Sequence, residues 1–261
     1  MSEPVVLKEV RGHVGILTVN RPKVHNALSS ETLLALEQAF IDLENDPQAH
    51  VIVITGAGEK SFIAGGDLAE MEHRQGLAHY FEFAEDIHRV FRRIEESDKP
   101  TIAAVNGWAL GGGTELLLCT DIRILADNAV LALPEITLGL FPGAGGTQRA
   151  IRQLAPCVAR ELMFVGDRIS ADEAVRIGLA NKVVPNADLM GTTMAMAEKI
   201  AAKSPLVLKL MKRTLIDGAE MPLRSALAHE QAMVSLVFDT QDAHEGIQAF
   251  LQKRAAKFSG T

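Results

Sequence analysis

Four short, almost wholly apolar runs, VGILTVN, VIVITG, TIAAVNG and IRILAD, limit what this chain can fold into more than any other feature. Each is too short for a helix, and VIVITG and TIAAVNG lack the polar alternation of a strand with one wet face. Such runs belong to strands buried on both sides. VVLKEV, RGH and VGILTVN together read as a hairpin, because β-branched residues flank a glycine-containing turn. Helical patterns fall between the strands. SSETLLALEQAFIDL places Leu33, Leu36, Phe40 and Leu43 on one face and stops at Asp46-Pro47. Tyr80, Phe83, Ile87, Val90, Phe91 and Ile94 form a second stripe that ends at Ser97-Asp98-Lys99-Pro100. TELLLCTD reads as a helix, and AVLALPEI as an extended piece broken by Pro134. Ser170 and Glu173 make a capping box for a short helix with Gly178 at its C′ position, ahead of the strand NKVV. The chain is thus α/β to about residue 185. Beyond Pro185 it is helical, with breaks at Ser204-Pro205 and Gly218. Patterning alone suggests a doubly wound sheet.

At 261 residues, 48% hydrophobic and 23% charged, the chain suits one large domain, or one plus a small appendage. A net charge of −7 supplies no positive field for nucleic acid or an anionic membrane, so an acidic ligand must be met by local groups. No run approaches the ~18 apolar residues of a membrane span. The 2 cysteines, Cys119 and Cys157, form no C-x-x-C pair and no zinc-ligand cluster. A reduced compartment follows as the expectation. MSEPVVLKEVRGHVG lacks a basic segment followed by a long apolar one, so the expected location is the cytoplasm, or the mitochondrial matrix for a processed eukaryotic form.

Familiar catalytic signatures fail on inspection. VIVITGAGEKS puts Ser61 where G-x-G-x-x-G needs its third glycine, and EKS lacks the Gly-Lys pair of a phosphate-binding loop. No serine sits in G-x-S-x-G, and His229-Glu230 does not continue to H-E-x-x-H. What stands out is a pair of solitary acids. Glu115, in GWALGGGTELLLC, is the only charged residue between Lys99 and Asp121; Glu135 is the only one between Asp127 and Arg149. A single acid so placed is better explained by an arginine from elsewhere or a turn towards solvent. Two of them, each beside a glycine-rich loop, point to chemistry. Partly desolvated carboxyls have raised pKa values, so one can hold a proton while the other is ionised. Gly111, Gly112 and Gly113 let backbone N–H groups approach a ligand closely. In SFIAGGDL, Ser61 to Leu68, a second set of amides lies between a strand and a helix, with Asp67 placed as an ordinary cap.

On these residues the sequence resembles the enoyl-CoA hydratase/isomerase (crotonase) family. The matching segments run in order along nearly the whole chain: NRPKVHNAL, FIAGGDL, KPTIAAVNGWALGGGTELLLCTD, LPEITLGLFPGAGGTQR, GDRISADEAVRIGLANKVV and HEGIQAFLQKRAAKF. The resemblance implies an α/β fold in which ββα units form a spiral over residues 1–198, and a helical region over 199–261 that mediates trimers, usually paired into hexamers. It implies an acyl-CoA substrate and water addition to a trans-2-enoyl-CoA, as in fatty-acid breakdown. By the same resemblance Glu115 activates the water for attack at C3, Glu135 supplies the proton to C2, Gly66 and Gly112 donate to the thioester oxygen, and Gly143 helps place the water. Lys23 and Ala64 match positions lining the CoA nucleotide, Asp67 and Leu68 continue that binding segment, and Phe250 and Lys253 match C-terminal residues that reach CoA, sometimes from a neighbouring subunit. No metal or separate cofactor is implied, since CoA is part of the substrate; nor is nucleic acid or a membrane.

The sequence departs from the pattern at Gly66, where hydratases often have alanine, and at Trp108, where tyrosine is frequent. Ala69 to Tyr80 falls where the family varies most and the acyl pocket is shaped. Isomerases of the family commonly keep the Glu135 counterpart but not that of Glu115, so both acids together argue for hydration. A hydratase for a branched or dicarboxylyl CoA ester is the alternative enzyme. RNA binding, known for one branch, is opposed by the acidic balance.

Overall fold

A computed structural model describes residues 3–73 and 76–261. Arg74 and Gln75, inside the variable stretch from Ala69 to Tyr80, lie outside the described residues. The hairpin forms as expected, β1 (Val6–Arg11) pairing antiparallel with β2 (Val14–Val19). Next come α1 (Ser30–Asn45), β3 (Val51–Gly56), β4 (Ser61–Ile63), α2 (Leu68–His73) and α3 (Leu77–Glu95). β5 (Thr101–Val105), β6 (Trp108–Leu110) and α4 (Gly112–Leu117) repeat the strand–strand–helix order, followed by β7 (Ile122–Ala126) and β8 (Val130–Ala132). A 3₁₀ turn over Pro134–Leu138 leads to α5 (Gly146–Gln153), α6 (Pro156–Val165), β9 (Ile169–Ser170), α7 (Ala171–Arg176) and β10 (Lys182–Val184). The chain finishes with α8 (Leu189–Ala201), α9 (Pro205–Ala219), α10 (Leu223–Phe238) and α11 (Gln241–Leu251).

The doubly wound arrangement suggested by patterning gives way to a spiral. Successive strand pairs divide between two sheets, the larger in the order β1-β2-β3-β5-β7-β10 and the smaller β4-β6-β8-β9. β2, β3, β5, β7 and β10 pair in parallel in the first, and β4, β6 and β8 in the second. Each of β3, β5 and β7 sends the chain directly into the smaller sheet before it returns. Those second strands have 3 residues each, SFI, WAL and VLA, too short for a period to show in the sequence.

Burial explains the apolar runs. One face of the larger sheet contributes Leu17, Val19, Ile52, Ile54, Ala103 and Leu125 to a core closed by α1 and α3. The other face contributes Val14, Ile16, Val51, Val53, Ile102 and Ile124 and is covered by Leu189, Ala197 and Ala201 of α8. Both faces are dry, so no polar alternation survives. On α3 the buried positions are Ile87, Val90, Phe91 and Ile94, whereas Tyr80 at the start of the stripe remains exposed. Ser29 caps α1 and Ser170 caps α7, the latter accepting from the Glu173 amide. Gly178 takes a left-handed φ of 81° just beyond α7. Gly218 does not break the chain; α9 runs through it to Ala219, and Pro222 sets the next start. α8 crosses the 198/199 position, so the spiral's covering helix and the helical region are continuous.

Two buried asparagines fix the turns that carry the site. Asn26 Nδ2 donates to Ala57 O at 3.0 Å and Ser61 O at 2.8 Å, while Asn106 Nδ2 donates to Gly56 O at 3.0 Å and Gly58 O at 2.7 Å. These bonds satisfy carbonyls where β3 crosses to β4, a place with no ladder partner. Among the described residues, no helix is long and apolar enough to cross a membrane.

Candidate active site

The crossovers into the smaller sheet bring two glycine-rich turns together. After β4 the chain runs Ala64-Gly65-Gly66 into α2, and after β6 it runs Gly111-Gly112-Gly113 into α4. They pack backbone to backbone: a Cβ built on Gly112 would lie 3.8 Å from Gly65 Cα, and one on Gly113 only 1.9 Å from Ile63 O. Leu28 forms a parallel bridge with Gly66, bonding Gly65 O through its N–H and the Asp67 N–H through its carbonyl. That geometry turns the Gly66 N–H away from Leu28. Gly112 opens α4, where an amide has no acceptor within its own helix. Among the described residues, neither amide has a protein acceptor.

Glu115 stands one turn into α4 and is 3% exposed. Its Oε1 accepts N–H groups from Ala144 at 2.7 Å and Gly146 at 2.8 Å. Oε2 receives no protein donor among the described residues. Burial pushes this carboxyl up to about 7; the charge of Glu135 adds to the rise, while the Gly146 and Ala144 amides and the Arg149 charge oppose it. Glu135 lies in the 3₁₀ turn after β8, half-buried, with its Oε1 2.7 Å from where a Cβ on Gly111 would sit. Gly111 has φ +50°, so a side chain there would be both strained and in collision with this carboxylate. Glu135 Oε2 is buried without a hydrogen-bond partner, and burial holds its carboxyl above the usual glutamate range. Both carboxyls are raised by burial, opposed at Glu115 by the Ala144 and Gly146 amides and at Glu135 by its own backbone N–H, with Glu135 Oε2 left without a partner.

The remaining expected residues fall into three groups. Gly143 is exposed and directly precedes Ala144, whose amide binds Glu115. Ala64 adjoins Gly65, and its N–H donates to His25 O at 3.1 Å; this ties it to the exposed turn carrying Lys23. Asp67 is turned to Arg21 in a 2.9 Å ion pair, and Leu68 is exposed at the start of α2. Phe250, 83% exposed, lies at the end of α11 and Lys253 just beyond it, and among the described residues no hydrogen bond, ion pair or ring contact joins either to the two acids or the glycine turns. Trp108 has the His25 ring and the Arg168 guanidinium each 5.3 Å from its own ring.

Three participants escaped the sequence reading: the Ala144 and Gly146 amides, and the Arg149–Glu95 pair behind them. Arg149 bonds both oxygens of Glu95, at 3.0 Å through Nε and 2.6 Å through Nη2. The available signal was Arg149 itself, the charge that closes the apolar stretch around Glu135.

The family model for enoyl-CoA hydratase/isomerase matches residues 9–261. A short-chain-enoyl-CoA hydratase of Clostridium acetobutylicum is 43% identical over 249 residues, covering 95% of each chain. A 2,3-dehydroadipyl-CoA hydratase of Escherichia coli is 40% identical and aligns over 100% of both chains. A crystal structure of enoyl-CoA hydratase from Bacillus anthracis superposes with a TM-score of 0.95 at 38% identity, covering 98% of this chain and 100% of that one. With both an acid pair and paired glycine turns on this fold, the chain belongs to the enoyl-CoA hydratase/isomerase family.

Proposed function

We propose that this protein hydrates short trans-2-enoyl-CoA esters, with Glu115 and Glu135 acting on one water. The observation that carries the reading is the meeting of two unengaged amides, Gly66 and Gly112, with two acids whose carboxyls are both raised by burial. The thioester oxygen lies between the amides. Glu115 takes a proton from the water as its oxygen bonds to C3, and the π pair of the double bond moves to an enolate held by the two N–H groups. Glu135 then gives its proton to C2. The net change is addition of H and OH, so the electrons balance without an oxidant, a metal or a separate cofactor. Proton transfer between the acids restores the starting state.

Lys23 and Ala64 fit the nucleotide end of CoA, and Lys23 supplies a local positive charge for phosphate that the acidic chain as a whole does not. Gly143 borders the water. Leu68, Leu77 and Phe81 on one side, and Leu138, Leu140 and Phe141 on the other, are exposed apolar residues on segments leading from the site. They suit a hydrocarbon acyl group better than a second carboxylate. Phe238, Ile247, Phe250 and Leu251 are also exposed, and they support association of the C-terminal helices into a homotrimer, itself pairing into a hexamer, in which Phe250 and Lys253 reach a neighbour's CoA. The free thiols of Cys119 and Cys157 suit a cytoplasmic setting.

Loss of the conjugated enoyl-thioester ultraviolet absorbance tests the reading. Crotonyl-CoA is consumed rapidly and faster than a dicarboxylyl enoyl-CoA; an inert wild-type protein overturns it. Because Glu115 must be ionised to take a proton, kcat/KM falls about tenfold per pH unit below a limb near 7, measured by initial rates. Gly66→Ala keeps both fold and activity, within about 3-fold in kcat/KM, since the backbone is not left-handed and the added methyl meets only the mobile end of Met71, at 2.5 Å. A thermal melt with the same rate assay checks it.

A further inference from the structure

Arg149 sits behind the acid pair and touches neither acid. Its guanidinium holds Glu95 through Nε and Nη2, and Nη1 donates to Ala144 O at 3.2 Å. It also lies across Gly145, where an added Cβ would meet Nη1 at 1.9 Å. Gly145 has φ +100°, and the amides on either side of it, Ala144 and Gly146, are the two that bind Glu115 Oε1. One planar cation therefore spans the peptide segment whose ends fix the carboxylate.

Glu95 is the last residue of α3, where a negative charge opposes the helix dipole. Its own helix gives it no support, so its alignment depends on the arginine. Both side chains are largely shielded, at 14% exposure for Arg149 and 33% for Glu95, and a forked pair of this kind orients as well as attracts. The charged groups acting on Glu115 are Glu135 from the 3₁₀ turn and Arg149 from α5.

We infer that Arg149, aligned by Glu95, is a positioning residue that holds the Ala144–Gly146 backbone so that both amides stay on Glu115 Oε1 and Oε2 faces the water. This rests on the hydratase reading for its kinetic consequence. Loosening the segment costs turnover more than binding, because the misplaced group acts on the water and not on CoA.

The test compares wild type, Arg149→Gln and Arg149→Lys in crotonyl-CoA hydration across pH, with thermal melts. Arg149→Gln lowers kcat about 10- to 100-fold with KM within about 3-fold, and the acid limb moves to higher pH because a nearby positive charge is gone. Arg149→Lys returns the limb towards wild type but recovers only part of kcat, as an ammonium cannot fork onto Glu95 and reach Ala144 O together. A folded Arg149→Gln protein with wild-type kcat and limb overturns the inference. Should that variant not fold, Arg149→Lys decides alone: reduced kcat at unchanged KM supports the role, and unchanged kcat overturns it. An inert wild type defeats the hydratase reading instead. Carbon-13 titration of the Glu115 carboxyl, assigned with Glu115→Gln, then reads the positioning without substrate; no upward shift in Arg149→Gln, or in Arg149→Lys no broadening or displacement of that resonance should Arg149→Gln not fold, overturns it.

Discussion

Glu115→Gln lowers kcat for crotonyl-CoA by about 10³-fold, with little change in KM, while making the folded protein more stable above neutral pH. The first effect follows from removing the base: glutamine still accepts from the Ala144 and Gly146 amides through its oxygen but cannot take a proton from water. The second follows from linkage. The Glu115 carboxyl is raised from 4.5 to about 7 in the folded chain. Between those values the folded state holds a proton that the unfolded chain has released, so stability falls as pH rises through the window and stays reduced above it. The full cost is roughly 3 kcal/mol. Glutamine removes it. In urea unfolding the variant exceeds wild type at about pH 8, and the difference closes as pH drops below the window. A variant that keeps wild-type turnover contradicts the assignment of the base; equal stability at both pH values contradicts the burial argument.

Gly113→Ala acts on the frame that carries both catalytic loops. Its Cβ would lie 1.9 Å from Ile63 O and 2.8 Å from Ile63 C, backbone atoms of a fully buried residue with no room to retreat. α4 and β4 must separate, and α4 carries Gly112 and Glu115 with it. The expected loss exceeds about 4 kcal/mol, which for a chain of this size lowers the melting temperature by roughly 10 °C. Activity falls with it. A melt within about 2 °C of wild type would show that the contact between the turns is looser than the geometry indicates. Gly66→Ala, whose added methyl meets only a methionine tip, is the control for the same substitution without the clash.

The contrast between those two glycines shows where the sequence was legible. The strands of the larger sheet, the serine caps and the break at Ser204-Pro205 were readable because each rests on local chemistry, whereas Gly218, expected as a break, lies inside α9 because a lone glycine only weakens a helix. The two acids were visible because a charge is conspicuous in an apolar stretch. By contrast, the smaller sheet was not readable from periodicity, since 3-residue strands such as SFI and WAL carry no period. Only family resemblance pointed to the spiral. Nor could spacing reveal what holds Glu115. Its amide donors lie 29 and 31 residues away, on a turn whose backbone groups have no signature of their own. Arg149 and Glu95, 54 residues apart, become a pair only when α3 and α5 are folded. Gly113 differs from Gly66 through the closely packed Ile63, a tertiary neighbour.

The central claim, that the two acids add one water across the double bond, is most directly tested by isotope. Crotonyl-CoA is turned over in water labelled with heavy oxygen, and separately in deuterium oxide, and the product is read by mass spectrometry and proton NMR. Hydration predicts heavy oxygen in a 3-hydroxyl group and one deuterium at C2. Deuterium entering the acyl chain with no heavy oxygen would mean proton transfer without water addition, and would contradict the account.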